Sequence, residues 1–262
     1  MQEINAKYNL KSLLENYRVV IPLIQRDYAQ GRKDKRTTEV RKVLLQDINT
    51  ALLDANVGSL DLNFIYGKSI NGKFIPLDGQ QRLTTLFLVY LFAYRDNDEC
   101  DFLGNFSYET RDSSRKFFKS LFENRKNIFI ETKSPSEIIT DEPWFADSWQ
   151  LDPTVQGALK TLDDISASFD YGFDYVSVLS DSNNQKLVFN FLDIDKLGSE
   201  DELYIKLNSR GRPLTDFENF KARFIDRIKK IDSHLEREFS QNIDTKWTDV
   251  IWNIDKNAFD TN

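Results

Sequence analysis

Apolar residues recur along the chain with two periods, which predict a mixture of strands and helices. Runs or alternations of apolar residues predict strands at residues 18–24, 62–70, 73–77 and 186–194. Helical spacing predicts helices at residues 38–53, 80–94, 115–122, 154–169, 199–207, 215–231 and 246–259. Because strands dominate early and helices late, the pattern predicts an α+β fold, with a core at residues 1–98 and a mainly helical region at 99–262.

Three of these elements have further features that bear on the core. The helix at 38–53 is amphipathic, and its predicted buried face consists of Val40, Leu44, Ile48 and Leu52. The helix at 80–94 is apolar nearly all round, so we expect it at the centre of the core. Asn71-Gly72 is typical of a hairpin turn, here between the second and third strands.

Composition limits the classes of protein that fit this pattern. The chain has 262 residues, of which 40% are hydrophobic and 13% aromatic, enough for one sizeable core or two modest ones. No apolar run approaches the roughly 20 residues of a membrane span, and the N-terminus lacks a signal-peptide segment, so we expect a cytoplasmic protein without membrane contact. Cys100 is the sole cysteine, which excludes an internal disulfide and a cysteine zinc site.

A glycine turn at residues 78–82, Asp-Gly-Gln-Gln-Arg, joins an apolar strand to the long apolar helix. Gly79 permits a tight turn, the helix start offers free amides and a positive dipole end, and Arg82 adds a fixed cation. This layout predicts a phosphate-binding turn. Asp78 with Gln81 equally fits a capping box that stabilises the helix start without any ligand, and local spacing does not separate the two.

Two other polar clusters interrupt otherwise structural sequence. Gln25 and Arg26 follow an apolar run and are expected at a strand end. Residues 208–215 form a turn-rich segment between two helix signatures, where Gly211 would close the earlier helix and Pro213 would prevent its continuation. Taken singly, a strand end and an interhelix loop explain these clusters without a ligand.

Together, the three clusters resemble a known family. In order, they are similar to the Ile-Pro-x-x-Gln-Arg-x-Tyr, Asp-Gly-Gln-Gln-Arg and Asn-x-x-Gly-x-x-Leu elements of the GmrSD N-terminal domain family, found in modification-dependent restriction enzymes and phage-defence proteins. The resemblance covers about residues 21–221. One departure is Gln30, where the family often has a tryptophan.

The resemblance implies a ParB/sulfiredoxin-like N-terminal core, followed here by the mostly helical region. Such a core binds a nucleoside triphosphate and often hydrolyses it, as in a type IV-like restriction system. Family members commonly continue into a His-Asn-His nuclease that cuts modified DNA. This chain has one histidine, His234, so we expect that nuclease in another segment or subunit.

The resemblance and the turn chemistry together assign residues to the site. Asp78 and Arg82 are the expected catalytic residues, with Arg82 neutralising phosphate charge and Asp78 positioning a magnesium ion or the attacking water. Magnesium would arrive with the triphosphate, since it favours oxygen ligands. The residues assigned to nucleotide or phosphate binding are Gln25, Arg26, Tyr28, Gly79, Gln80, Gln81, Thr84, Asn208, Arg210 and Gly211. The loop at 208–211 is expected to return to the turn and close the pocket.

Charge argues against simple attraction to DNA. The net charge of −7 disfavours a polyanion overall, although local basic surface can still bind one. Weak candidates for DNA contact are Arg32, Lys33, Lys35 and Arg36, for which a solvated charged face is the commoner explanation. Two alternatives to the nucleotide hypothesis therefore remain: a non-enzymatic ParB-like module that reads DNA or a modified base, and an interaction scaffold with a degenerate site.

Overall fold

The computed structural model describes residues 7–22, 28, 35–109 and 111–194. The chain divides into two compact units, Met1–Leu197 and Gly198–Asn262, and all described residues belong to the first. Its strands are β1 (Lys7–Tyr8), β2 (Arg18–Ile21), β3 (Leu60–Ile70), β4 (Lys73–Asp78), β5 (Phe106–Tyr108) and β6 (Leu187–Asp193). Its α-helices are α1 (Leu10–Asn16), α2 (Lys35–Leu53), α3 (Gln80–Ala93), α4 (Asp112–Glu123), α5 (Pro135–Asp141), α6 (Pro153–Ser168) and α7 (Tyr175–Ser180).

The six strands form one mixed sheet in the order β1-β6-β3-β4-β2-β5. Strand β2 runs parallel to both β4 and β5, whereas β3 runs antiparallel to β4 and parallel to β6. The carboxyl ends of β2, β4 and β5 therefore lie at the same edge of the sheet. In α/β proteins this edge is where ligands commonly bind.

Helix α3 occupies the centre of the core, as its apolar sequence predicts. Every residue from 83 to 94 is buried. Phe87 stacks on Phe106 of β5 with ring centroids 4.5 Å apart, which joins the helix to the sheet. The buried polar residues of this helix are Gln80, Thr84 and Thr85, whose contacts are described below.

The predicted face of α2 is partly wrong. Ile48 and Leu52 are buried as expected, but Val40 is 54% exposed and the neighbouring Arg41 is buried. The reason is a buried ion pair, in which Arg41 Nε lies 2.7 Å from Asp164 Oδ2 on α6. The buried residue in the first part of α2 is therefore the charged Arg41 and not the apolar Val40.

The predicted mixture of helices and strands is confirmed, and the longer predicted elements match the structure closely. The elements that the sequence pattern missed are short: β1, α1, β5, α5 and α7 have between two and seven residues each. Such lengths hold too little of either period to be recognised. The helices predicted after residue 198 lie outside the described residues. Within the described part of the chain, no helix is long and apolar enough to cross a membrane.

Candidate functional site

The turn between β4 and α3 is built around Gly79. Its φ of 88° places it in the left-handed region, and it forms the N-cap of α3. A Cβ atom at Gly79 would lie 2.7 Å from Ile65 Cγ1, so the turn sits directly on β3. Both constraints require glycine. The capping-box alternative is wrong, because the cap is Gly79 rather than Asp78 and carries no side chain.

A second glycine brings β3 and β4 together just below this turn. Strand β3 has a register shift between Tyr66 and Gly67. A Cβ atom at Gly67 would lie 2.2 Å from the carbonyl oxygen of Ile75, closer than any real contact permits. Sequence reasoning missed this role. An isolated glycine within a strand pattern is the signal that indicates such a close approach.

Arg82 and Asp78 form a pair at the mouth of the turn. Arg82 Nη2 lies 2.9 Å from Asp78 Oδ2, and Nη1 donates to the backbone carbonyl of Leu62. Pairing of β3 with β4 ends at Tyr66 opposite Asp78, so this carbonyl lies beyond the end of β4. The side chains of Arg82 and Asp78 are 24% and 53% exposed, respectively. The guanidinium is thus held by two partners and still reaches solvent.

Gln80 and Thr84 lie beneath the turn rather than in its mouth. The Gln80 side chain is buried and donates from Nε2 to the carbonyl of Pro76 at 2.7 Å. Thr84 donates from Oγ1 to the Gln80 carbonyl at 2.8 Å and shares a hydrogen bond of 2.6 Å with the Tyr108 hydroxyl. These hydrogen bonds stabilise the start of α3 on its buried side. Their predicted contact with a nucleotide stays a prediction, as does that of Gln81, which accepts from Thr85 Oγ1 at 3.0 Å through its carbonyl.

Tyr28 joins α3 to α6. Its hydroxyl shares a hydrogen bond of 2.8 Å with Thr85 and donates to Thr161 at 3.2 Å. Its amide donates to Thr154 Oγ1 at 3.3 Å. Burial raises the pKa of the Tyr28 phenol, while the hydrogen bonds to Thr161 and Thr85 lower it. Tyr28 is therefore a buried tether, by which we mean a residue whose hydrogen bonds to threonines connect α3 with α6.

Several predicted site residues lie outside the described part of the chain: Gln25, Arg26, Arg32, Lys33, Asn208, Arg210 and Gly211. The expected return of the 208–211 loop therefore stays a prediction. Lys35 and Arg36 are described, and both are exposed in the first turn of α2.

A family model described as the GmrSD restriction endonuclease, N-terminal domain, matches residues 10–225. This match covers most of the chain and every described element from α1 to β6. The chain belongs to the GmrSD N-terminal domain family. Membership supports a role in restriction and phage defence. A comparison with curated proteins found no significant match.

The described part of this GmrSD domain contains no group of three or more histidine, cysteine, aspartate or glutamate side chains that could hold a metal ion by itself. At the turn, Asp78 supplies a single half-exposed carboxylate. One carboxylate suits a magnesium ion that takes its remaining ligands from phosphates and water. The predicted magnesium ion that arrives with a nucleotide is compatible with this single carboxylate and stays a prediction.

Hydrogen-bond donors surround a second carboxylate, that of Asp152, the N-cap of α6, and sequence reasoning missed this arrangement. Its carboxylate accepts four hydrogen bonds, from Ser113 Oγ at 2.5 Å, Ser114 Oγ at 2.6 Å, Arg111 Nη1 at 3.1 Å and the Thr154 amide at 2.9 Å. Burial would raise the pKa of Asp152, but these donors hold it below its ordinary value. An Asp-Pro pair before a helical pattern is the signal that could have revealed the cap.

Proposed function

We propose that this domain binds a nucleoside triphosphate at the β4–α3 turn and hydrolyses it. In this proposal, the nucleotide cycle licenses cleavage of modified foreign DNA by a His-Asn-His nuclease module, which a sequence with one histidine does not supply. The observation that carries the proposal is the fixed but partly exposed guanidinium of Arg82, placed beside a helix start whose N-cap is the glycine Gly79.

The turn has the electrostatic properties that a phosphate requires. The amino end of α3 carries a positive partial charge from the helix dipole, and its amides are donors for an anion. Gly79 brings no side chain into this space. Arg82 adds a full charge with planar donors that match phosphate oxygens. These contributions act on the same ligand position, which favours a multiply charged phosphate group.

Asp78 is suited to the chemical step because its carboxylate is only partly engaged. It is 53% exposed, and its ion pair is with the same arginine that would contact the phosphate. A phosphate that draws Arg82 towards itself therefore leaves the carboxylate available to orient water. Hydrolysis of a phosphoanhydride depends on in-line placement of the water and on charge stabilisation. Magnesium, when bound with the nucleotide, would neutralise further phosphate charge.

We also assign Gln25 and Arg26 to the proposed site, because the family resemblance implies it. They lie in sequence between two described points, the carboxyl end of β2 at Ile21 and the tether Tyr28. The first point is at the edge of the sheet where β4 ends, and the second contacts Thr85 on the second turn of α3. Both described points thus flank the proposed site, which supports this assignment.

A second candidate function is a non-enzymatic module that reads DNA. One observation favours it: Lys35 and Arg36 are exposed in the first turn of α2, where the helix dipole disfavours cations. A nearby anion would offset that cost. This function requires DNA affinity that falls steeply with salt concentration and no response to free nucleotides.

Release of phosphate from ATP, GTP, CTP and UTP with magnesium tests the proposal. We would compare the unmodified domain with Asp78→Ala, Arg82→Ala and the control Arg111→Ala. The control also removes an arginine that pairs with an aspartate at a helix start. We expect Asp78→Ala and Arg82→Ala to lower the rate by about a hundred-fold or more and the control to retain it.

Melting curves with each nucleotide separate binding from turnover. A ligand present at about one hundred times its Kd stabilises the folded state by roughly 2.7 kcal/mol. We expect Asp78→Ala to keep this stabilisation and Arg82→Ala to lose it. Equal turnover in Asp78→Ala would reject the role of that carboxylate. Absence of both turnover and stabilisation in the unmodified domain would reject the nucleotide site and favour DNA reading.

A further inference from the structure

Strand β3 contains a strained residue, Asn63, whose φ is 64°. The strand is bulged at this point, because Asp61 pairs with Val188 and Phe64 with Asn190, so that Leu62 and Asn63 together face one residue of β6. A non-glycine residue in the left-handed region costs free energy and persists where the surrounding structure imposes it. Bulges of this kind redirect the groups on either side of them.

The side chain of Asp61, two residues before Asn63, stabilises the bulge. The Asn63 amide donates to Asp61 Oδ1 at 2.9 Å, and Asp61 Oδ2 lies 3.6 Å from Lys7 Nζ on β1. Asparagine is among the residues that tolerate the left-handed conformation best. The sequence thus supplies both an acceptor for the turned amide and a residue type that accepts the turn.

The bulge directs a backbone carbonyl towards the candidate site. Leu62, which immediately precedes Asn63, accepts a hydrogen bond from Arg82 Nη1 through its carbonyl oxygen. The other bond of the guanidinium goes to the Asp78 side chain, at the end of β4. That side chain is half-exposed and has rotatable bonds, whereas Leu62 contributes a backbone atom of β3. The Leu62 carbonyl is therefore the rigid one of the two supports.

We infer that Asn63 is a positioning residue for Arg82. Its left-handed backbone presents the Leu62 carbonyl, which fixes the guanidinium in one orientation before any ligand arrives. Asn63 touches no substrate in this arrangement and acts through the carbonyl and Arg82. The consequence for ligand affinity rests on the proposed function, since a pre-oriented arginine helps only a ligand that uses it.

The chain offers a matched control, Asn71, which has a φ of 50°. It lies in the turn after β3, eight residues from Asn63, or roughly 26 Å along an extended strand. Asn63→Ala and Asn71→Ala impose the same kind of backbone strain at these two places. Asn63→Gly removes the side chain but permits the left-handed conformation. If the left-handed backbone at position 63 orients Arg82, Asn63→Gly preserves that orientation and Asn63→Ala disturbs it.

The first measurement is the ¹⁵N NMR signal of the Arg82 Nε–H group, assigned by its loss in Arg82→Lys. We expect Asn63→Ala to broaden this signal or speed its hydrogen exchange by about ten-fold, with Asn63→Gly and Asn71→Ala close to the unmodified domain. An unchanged Arg82 signal in Asn63→Ala would overturn the inference. An equal change in Asn71→Ala would do so as well, since it would indicate a general loss of stability.

The second measurement is the Kd for magnesium nucleotide in the same variants. We expect about ten-fold weaker binding for Asn63→Ala alone. If Asn63→Ala changes the Arg82 signal but binds nucleotide with an unchanged Kd, the inferred role of Asn63 in ligand affinity is overturned. If the unmodified domain binds no nucleotide, the proposed function fails, and the NMR comparison still decides whether Asn63 orients Arg82.

Discussion

Helices α3 and α6 both start beside an aspartate that pairs with an arginine, but the two starts differ in structure. The pairs are Asp78 with Arg82 and Asp152 with Arg111. At α6 the aspartate is the N-cap, its side chain is 2% exposed, and its oxygens are bonded to several donors. At α3 the cap is Gly79, and Asp78 lies outside the helix with its carboxylate 53% exposed.

The two helix starts therefore differ in how the first amides are satisfied: one is capped by its own carboxylate, and the other is the start to which we assign a phosphate in the proposed function. The Asp152 carboxylate already supplies the negative charge that the start of α6 favours, and its donors satisfy it in the folded protein. At α3 no capping side chain occupies the equivalent position, since Gly79 has none. A phosphate would take at α3 the place that Asp152 takes at α6. Three predictions test this contrast, in order of decreasing effect.

The largest difference is expected in the free energy of unfolding of the two aspartate variants. Asp152→Ala removes a helix cap and the acceptor of the buried hydrogen bonds from Ser113 and Ser114, so it should destabilise the protein by about 3 kcal/mol. Asp78→Ala breaks an exposed ion pair and should cost less than about 1 kcal/mol. Urea unfolding of both variants measures the difference. Similar losses would contradict the division into a structural and a functional helix start.

A smaller difference is expected between two glycines at positive φ. Gly79→Ala introduces backbone strain and a Cβ atom 2.7 Å from Ile65 Cγ1, and should cost about 2 kcal/mol. Gly72→Ala introduces similar strain, but nothing lies within 4 Å of the new Cβ atom, so about 1 kcal/mol is expected. Thermal unfolding compares them. A cost for Gly79→Ala no larger than that of Gly72→Ala would show that the turn can move off β3.

The smallest effect is the pH dependence that Asp152 contributes. Its folded-state pKa is lowered, so the stabilisation is complete above the ordinary carboxyl pKa of about 4 and is lost as the pH falls through the folded-state value. Asp152→Asn should therefore be less stable than the unmodified domain at pH 7, with the difference narrowing in acid. Unfolding measured from pH 7 to pH 3 provides the test. A constant difference would mean that the charge of Asp152 contributes nothing.

Much of the framework was predictable because it depends on local periodicity. The hairpin of β3 and β4, the helix α3 and the strand β6 were expected from apolar spacing and from Asn71-Gly72, and the structure contains them. The buried position of α3 followed from its nearly continuous apolar surface. By contrast, Arg41 replaced Val40 in the core because of Asp164, a residue more than a hundred positions away that no local pattern connects to α2.

For the candidate site, local patterns were enough to predict that a strand leads into Asp78-Gly79 and that Arg82 follows at the start of a helix. Family membership also follows from the sequence. The fold was needed to exclude the capping box, to place Ile65 against Gly79 and to give Arg82 the carbonyl of Leu62 as a partner. The reason is that local spacing determines which side chains lie on a given face of a helix. The contacts of those side chains depend on β3, whose packing against the turn no local pattern specifies.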